Sequence, residues 1–228
     1  MAVEPEDESE LELSIEGVAA HPEDDGNLRV LITTSRGEIR AILHPCATAP
    51  GAAIYAGGAR GGFQGPANDL YGRLADRLRP RMSGLRLHYR QPGEFEECVL
   101  DVLAGVSFLR GFGAGDVALV GHSFGGAVVI KAGELSAAVT GVAALSSQTY
   151  GTRTVERLGK PLLLMHGMRD GILDYAASED IHTRAVEPKR LVLYAEADHM
   201  LTQAAEEVEE LLAEWLPSMV GGPAAGVN

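Results

Sequence analysis

Cysteine is scarce in this chain, with two in 228 residues. Cys46 and Cys98 stand far apart with no Cys-x-x-Cys pair, which excludes a zinc site built on paired thiolates. A buried free thiol is the expected state of Cys98, whose neighbours are apolar and helically spaced. The seven histidines include no His-x-x-x-His pair, so no metal site on a helix is expected. No apolar run approaches the roughly 18 residues that a membrane span needs. The opening Met1–Glu8 carries acids where a secretory leader carries bases, so a cytoplasmic protein without a membrane span is expected.

Lys and Arg are absent from both ends. Residues 1–26 hold ten acids and no Lys or Arg, residues 191–228 hold seven acids and none, and residues 27–190 hold 15 acids against 19 bases. The net charge of −13 therefore sits at the termini, and the nearly balanced middle excludes the clustered basic face of a nucleic-acid binder. The acidic ends read as a solvated arm over 1–26, part of or leading into a sheet, and the exposed side of a last helix. Residues 27–217 read as one domain. Pro217, Gly221-Gly222 and Pro223 are expected to end that helix, leaving a flexible tail over 218–228.

Hydrophobic residues make up 46% of the chain, ample for a core. Leu28–Thr34 and Glu38–Leu43 suit an antiparallel hairpin through Ser35-Arg36-Gly37. Beyond them, short apolar runs recur at Ala52–Ala56, Leu85–Tyr89, Val117–Val120, Val142–Leu145, Leu162–Met165 and Leu191–Tyr194. Most do not alternate, as expected of strands covered on both faces. Helical faces fill the gaps: Leu70, Tyr71, Leu74, Ala75 and Leu78; Phe95 through Leu109; and Val208, Leu211, Leu212, Trp215 and Leu216. The fold class is α/β, a mostly parallel mixed sheet with helices on both faces.

Gly121-His122-Ser123-Phe124-Gly125-Gly126 follows one strand directly and opens a helix. It matches Gly-x-Ser-x-Gly in the strand–turn–helix context that the motif requires. Ser123 at such a turn stands at a helix N-terminus, where unpaired amides favour developing negative charge. A serine hydroxyl needs a base, and the base needs an orienting carboxylate. Asp170, in His166-Gly167-Met168-Arg169-Asp170, and His199, after Asp198, each lie just past the carboxyl end of a buried strand. Parallel strands bring those ends to one edge.

In these motifs the sequence resembles the α/β-hydrolase superfamily over about residues 28–216. The resemblance implies Ser123 as nucleophile, His199 as general base and then acid, and Asp170 as the carboxylate orienting the imidazole. It also implies an oxyanion hole from the Phe124 amide and one amide of Ala56-Gly57-Gly58-Ala59-Arg60-Gly61-Gly62, either Gly58 or Ala59. The size and lack of a lid are similar to dienelactone hydrolases. Those use Cys where this chain has Ser123, so lactone specificity does not carry over.

Blander readings stand beside these. Read blandly, Ser123 is an N-cap at a glycine-rich helix start, Asp174 is a second candidate for the carboxylate, and Asp198 is expected to cap or face solvent. His122 and His166 read as packed or hydrogen-bonded neighbours, and Cys46 as a poor nucleophile. Arg60, Arg153 and Arg169 fall near the proposed edge and read first as solvated surface. Gly57 to Gly62 lacks dinucleotide-fingerprint spacing and no Walker lysine follows. Only Ser146–Lys160 separates the strand after the nucleophile helix from the next, too short for a lid domain. The expected activity is hydrolysis of small to medium carboxylic esters or thioesters through an acyl-enzyme. Peptidase or acyltransferase chemistry and a non-catalytic binding role are the alternatives. The expected partner is a small-molecule acyl substrate, with no nucleic acid, and the chemistry requires no cofactor or metal. Oligomeric state is not legible.

Overall fold

The computed structural model describes residues 12–220. Among them nine strands form one sheet: β1 (Ile15–Pro22), β2 (Leu28–Thr34), β3 (Gly37–His44), β4 (Gly51–Ala56), β5 (Ser83–His88), β6 (Asp116–His122), β7 (Val139–Leu145), β8 (Leu162–Gly167) and β9 (Lys189–Tyr194). Their spatial order is β1-β2-β3-β5-β4-β6-β7-β8-β9. The pairs β1/β2, β2/β3 and β3/β5 are antiparallel, and every pair from β5 across to β9 is parallel. The helices are α1 (Pro66–Leu78), α2 (Phe95–Gly111), α3 (Phe124–Leu135), α4 (Ala176–Arg184) and α5 (Ala205–Val220).

Two cores explain why the central strands do not alternate. On one face, Val117 and Leu119 of β6 join residues of α2, α3 and α4. On the other, Ala118 and Val120 join α1 and α5. A strand covered on both sides has no polar face to show. Each such Val or Leu contributes roughly 1.5–3 kcal/mol relative to exposure. The β2/β3 hairpin is covered on one side only: Val30, Ile32, Ile39, Ala41 and Leu43 are buried, while Arg29, just before Val30, and Arg40, between Ile39 and Ala41, are exposed. There the period of two is plain.

α1 opens with Ala67, Asn68 and Asp69 in the left-handed region, so its regular part starts near Leu70. From there Leu70, Tyr71, Leu74, Ala75 and Leu78 all point into the core.

β1 puts the later part of the acidic arm in the sheet, one of the two placements expected of it. Two helices depart from expectation: α4 occupies a stretch that shows no helical face. α5 does not stop at Pro217 but continues to Val220, so Ser218–Val220 are helix and not tail. Proline removes one helix hydrogen bond. Packing holds the last turn regardless, because Val220 sits directly against Gly51 and Met219 against Gly141. Residues 1–11 of the arm and 221–228 of the tail lie outside the described residues. No helix among the described residues is long and apolar enough to cross a membrane.

Candidate active site

β6 turns into α3 within one residue. Ser123 takes φ +58°, ψ −118°, a conformation rarely held by a residue with a side chain and stable only where its surroundings enforce it. The enforcement is visible. Ser123 N–H donates to the Leu145 carbonyl at 2.8 Å, and Gly126 N–H donates to the Ser123 carbonyl at 3.0 Å. A Cβ on Gly121 would overlap the Gly125 carbonyl, and one on Gly125 would overlap the Gly57 carbonyl and meet that of Ala56 at 2.8 Å. The turn therefore closes only with glycine at both positions. Ser123 makes no capping hydrogen bond to α3. Its hydroxyl is not committed to holding the helix.

The first amide of α3 and the loop after β4 both adjoin this turn. Phe124 N–H, the first in α3, has no intrahelical acceptor to reach. The loop after β4 lies against the turn: a Cβ on Gly58 would sit 3.8 Å from Ser123 Cβ and 3.8 Å from the His122 carbonyl oxygen. The Tyr89 hydroxyl donates to the Gly57 carbonyl at 3.1 Å and Gly61 N–H to the Gly58 carbonyl at 2.9 Å, which fixes this loop. Among the described residues, the Phe124, Gly58 and Ala59 amides donate to no protein acceptor.

Asp170 and His199 meet. His199 Nδ1 donates to Asp170 Oδ2 at 2.7 Å, with the carboxylate fully buried and the imidazole nearly so. Ile172 N–H and Leu173 N–H both donate to Asp170 Oδ1 at 2.8 Å. Burial pushes the Asp170 carboxyl up, but the Leu173 amide, the His199 hydrogen bond and the Ile172 amide outweigh it and hold it below the usual carboxylate range. Asp174 points elsewhere, accepting Ala176 N–H at the start of α4. Asp198 accepts the amides of Met200 and Thr202 and so shapes the loop that carries His199. Gly167 is glycine because this loop crosses it; a side chain there would overlap the Ala197 carbonyl.

Two further histidines take part that the motifs left as neighbours. His122 Nε2 donates to the His199 carbonyl at 2.9 Å and holds that loop to the end of β6. His166 Nε2 lies 3.0 Å from Asp170 Oδ2. Their only sequence signal was position, one beside Ser123 and the other opening His-Gly-x-x-Asp. Burial pushes His122 down to about 4, against the opposing pull of its bond to the His199 carbonyl. An imidazole with a lowered folded-state pKa stabilises the fold fully above its unfolded pKa of about 6.5, and that stability drains away as pH falls towards 4. A shift of that size corresponds to about 3 kcal/mol. Burial lowers His44 and His166 in the same direction, so they add to the slope. Urea unfolding of His122→Gln is expected to lose less stability than the wild type between about pH 7 and about pH 4. Parallel slopes would count against this placement of His122.

Ser123 and His199 line one cleft of about 540 Å³, bounded by the loop after β4 on one side and by Ile172 and Met200 on the other. No hydrogen bond within 3.5 Å joins the Ser123 hydroxyl to His199 among the described residues. Arg60 also lines the cleft. Arg169 is instead paired with Glu196 at 2.5 Å in the open, and Arg153 is exposed and away from the cleft walls. Among the described residues no group of three or more His, Cys, Asp and Glu side chains is arranged to hold a metal. Cys98 is buried and free, as expected.

A comparison with curated proteins finds no significant match. The fold is shared with many solved structures. A dienelactone hydrolase from Anabaena variabilis superposes with a TM-score of 0.73 at 17% identity, over 89% of this chain and 99% of that one. The esterase domain of a Rhodothermus marinus protein gives 0.67 at 19% identity, over 92% and 100%. XC6422 from Xanthomonas campestris, described as an α/β serine hydrolase without a lid, gives 0.69 at 18% identity, over 89% and 96%. Residues 52–214, which run from β4 into α5 and include Ser123, Asp170 and His199, match the model of the dienelactone hydrolase family. The chain is thus a lidless α/β hydrolase and belongs to the dienelactone hydrolase family.

Proposed function

We propose that the chain cleaves carboxylic esters, thioesters included, of small to medium acyl substrates, with Ser123, His199 and Asp170 acting in series. The observation that carries this reading is the buried 2.7 Å Asp170–His199 bond opening onto the same cleft as a serine held in a strained turn with an uncommitted hydroxyl. Because Nδ1 of His199 carries the proton donated to Asp170, Nε2 is left with its lone pair and serves as the base. Ser123 attacks the acyl carbonyl and His199 takes its proton. The Phe124 amide, with that of Gly58 or Ala59, receives the oxyanion. His199 then protonates the leaving alcohol or thiol, and the same imidazole activates the water that releases the acyl group.

Access favours compact substrates. The connection from β7 to β8 carries a single 3₁₀ turn, Val155–Arg157, and no inserted lid. Without a lid there is no enclosed tunnel for a long acyl chain. Support for ester rather than amide cleavage comes from the shared fold of the Rhodothermus marinus esterase domain.

The test is fluorophosphonate labelling of the folded protein, with the modified residue located by mass spectrometry, followed by matched ester, thioester and aminoacyl-amide substrates. Labelling confined to Ser123 with ester or thioester turnover is expected. Absence of label in folded protein would point to a binding role, and preferred amide cleavage would make the chain a peptidase.

A further inference from the structure

Asp170 Oδ2 is shared by two imidazoles. His199 Nδ1 approaches it at 2.7 Å and His166 Nε2 at 3.0 Å. His166 is itself fully buried at the end of β8, and its other nitrogen, Nδ1, lies 2.7 Å from the hydroxyl of Ser178 on α4, also buried. The proton positions follow from what each atom faces. His166 Nε2 meets only acceptors, the Asp170 carboxylate and the Leu173 carbonyl at 3.1 Å, so it carries the hydrogen. The neutral ring then has a lone pair at Nδ1, and the Ser178 hydroxyl donates to it. A directed chain results: Ser178 O–H to His166, His166 N–H to Asp170, with His199 N–H arriving at the same carboxylate oxygen from the other side.

We propose that His166, backed by Ser178, is a positioning residue that fixes the Asp170 carboxylate against His199 and moderates how strongly that carboxylate holds the imidazolium. The proposal rests on the triad reading given above. Four donors, two amides on Oδ1 and two imidazoles on Oδ2, fill the lone pairs of Asp170, so the carboxylate has no freedom to rotate. A metal-ligating histidine is commonly held by a carboxylate behind it. Here the order is reversed, and a second histidine holds the carboxylate.

The titratable groups facing His166 are few. Asp170 lies on the loop that follows its own strand, His199 comes from the loop after β9, and His122 lies beyond it at the end of β6. α4 presents the uncharged Ser178 hydroxyl. Asp170 is paired with no Lys or Arg among the described residues. Burial lowers the His166 pKa despite its bonds to Leu173 and Asp170, which agrees with a neutral ring.

Removing one donor from a carboxylate concentrates its charge on the donor that remains. In His166→Leu the acid limb of the pH–rate profile for ester hydrolysis is therefore expected to move up by about half a pH unit or more. kcat should fall about 10- to 100-fold, with KM little changed. His166→Gln, which keeps an N–H for Asp170, should recover most of both. Ser178→Ala should shift the limb the same way by less. A merely structural role would reduce the folded fraction and leave the limb in place. An acid limb that stays or moves down in His166→Leu and Ser178→Ala, at unchanged melting temperature, overturns the proposal. If His166→Leu does not fold, His166→Gln and Ser178→Ala carry the comparison. Imidazole ¹⁵N spectra of the wild type test the same geometry without any turnover: His166 should be protonated at Nε2 and bare at Nδ1. The opposite tautomer overturns the proposal even in an active enzyme. An unlabelled, inactive wild type with the expected tautomer would instead fault the triad reading alone.

Discussion

Replacing Ser123 by Ala is expected to abolish ester turnover, by about a million-fold in kcat if triad losses measured in other serine hydrolases transfer. The fold should hardly notice. The Ser123 hydroxyl makes no capping hydrogen bond, so its removal leaves no partner unsatisfied. Alanine keeps the Cβ and meets the same backbone conformation at φ +58°. The stability change should fall within about 0.5 kcal/mol, as for substitutions that touch no structural interaction. The residual rate has a source too, since the unpaired amides and the cleft remain when the nucleophile is gone. Turnover of p-nitrophenyl acetate, measured together with urea unfolding, separates these effects. Activity within ten-fold of wild type would remove Ser123 from the mechanism.

Asp170→Asn carries the next largest loss, about ten-thousand-fold in kcat. The carboxylate accepts two amides on one oxygen and two imidazoles on the other. An asparagine side chain of the same shape offers one oxygen and one NH₂ group, so in either orientation the NH₂ faces two N–H donors. With the oxygen kept on the Ile172 and Leu173 amides, His199 confronts a donor and must turn its lone pair there. The proton then sits on Nε2, where the base is needed. With the oxygen on the histidine side, the two buried amides lose their acceptor, at about 1–3 kcal/mol for an unsatisfied group. Both activity and stability should therefore fall, unlike in Ser123→Ala. The pair of measurements on the two variants distinguishes a chemical residue from one that also holds its loop. Near-normal kcat in Asp170→Asn would mean that the imidazole needs no carboxylate.

Much of this was legible because its causes are local. The glycines at 121 and 125 announce a turn into which no Cβ fits, and the doubly covered strands β4, β6 and β8 read as unbroken apolar runs. Asp170 and Asp174 differ only in space, where Asp170 reaches His199 and Asp174 accepts the Ala176 amide at the start of α4. β1 was legible only as an arm that is part of or leads into the sheet, because both of its faces are largely exposed and leave no alternation to read. α4 escaped because it buries only Ser178 and Ile181, too little for an apolar stripe. Pro217 misled because proline propensity is local, whereas the contacts of Val220 with Gly51 and of Met219 with Gly141 are not. His166 read as a packed neighbour because His-Gly-x-x-Asp fixes its distance from Asp170 along the chain and not its contact with it. Of its three partners, Leu173 and Ser178 are tied to it by no spacing rule.

The close seat of Gly125 on Gly57 also ties the elbow to a strand distant in the chain. Those two residues follow β4 and β6, which pair with Ala56 beside Gly121. His199 reaches Asp170 from the loop after β9, the strand of the sheet made last, which pairs with β8. Pairings between sequence-distant strands are entropically slow to close. On the triad reading proposed above, a nascent chain still short of His199 holds the elbow residues but no imidazole, so ester turnover is expected only once the stretch after β9 has been made.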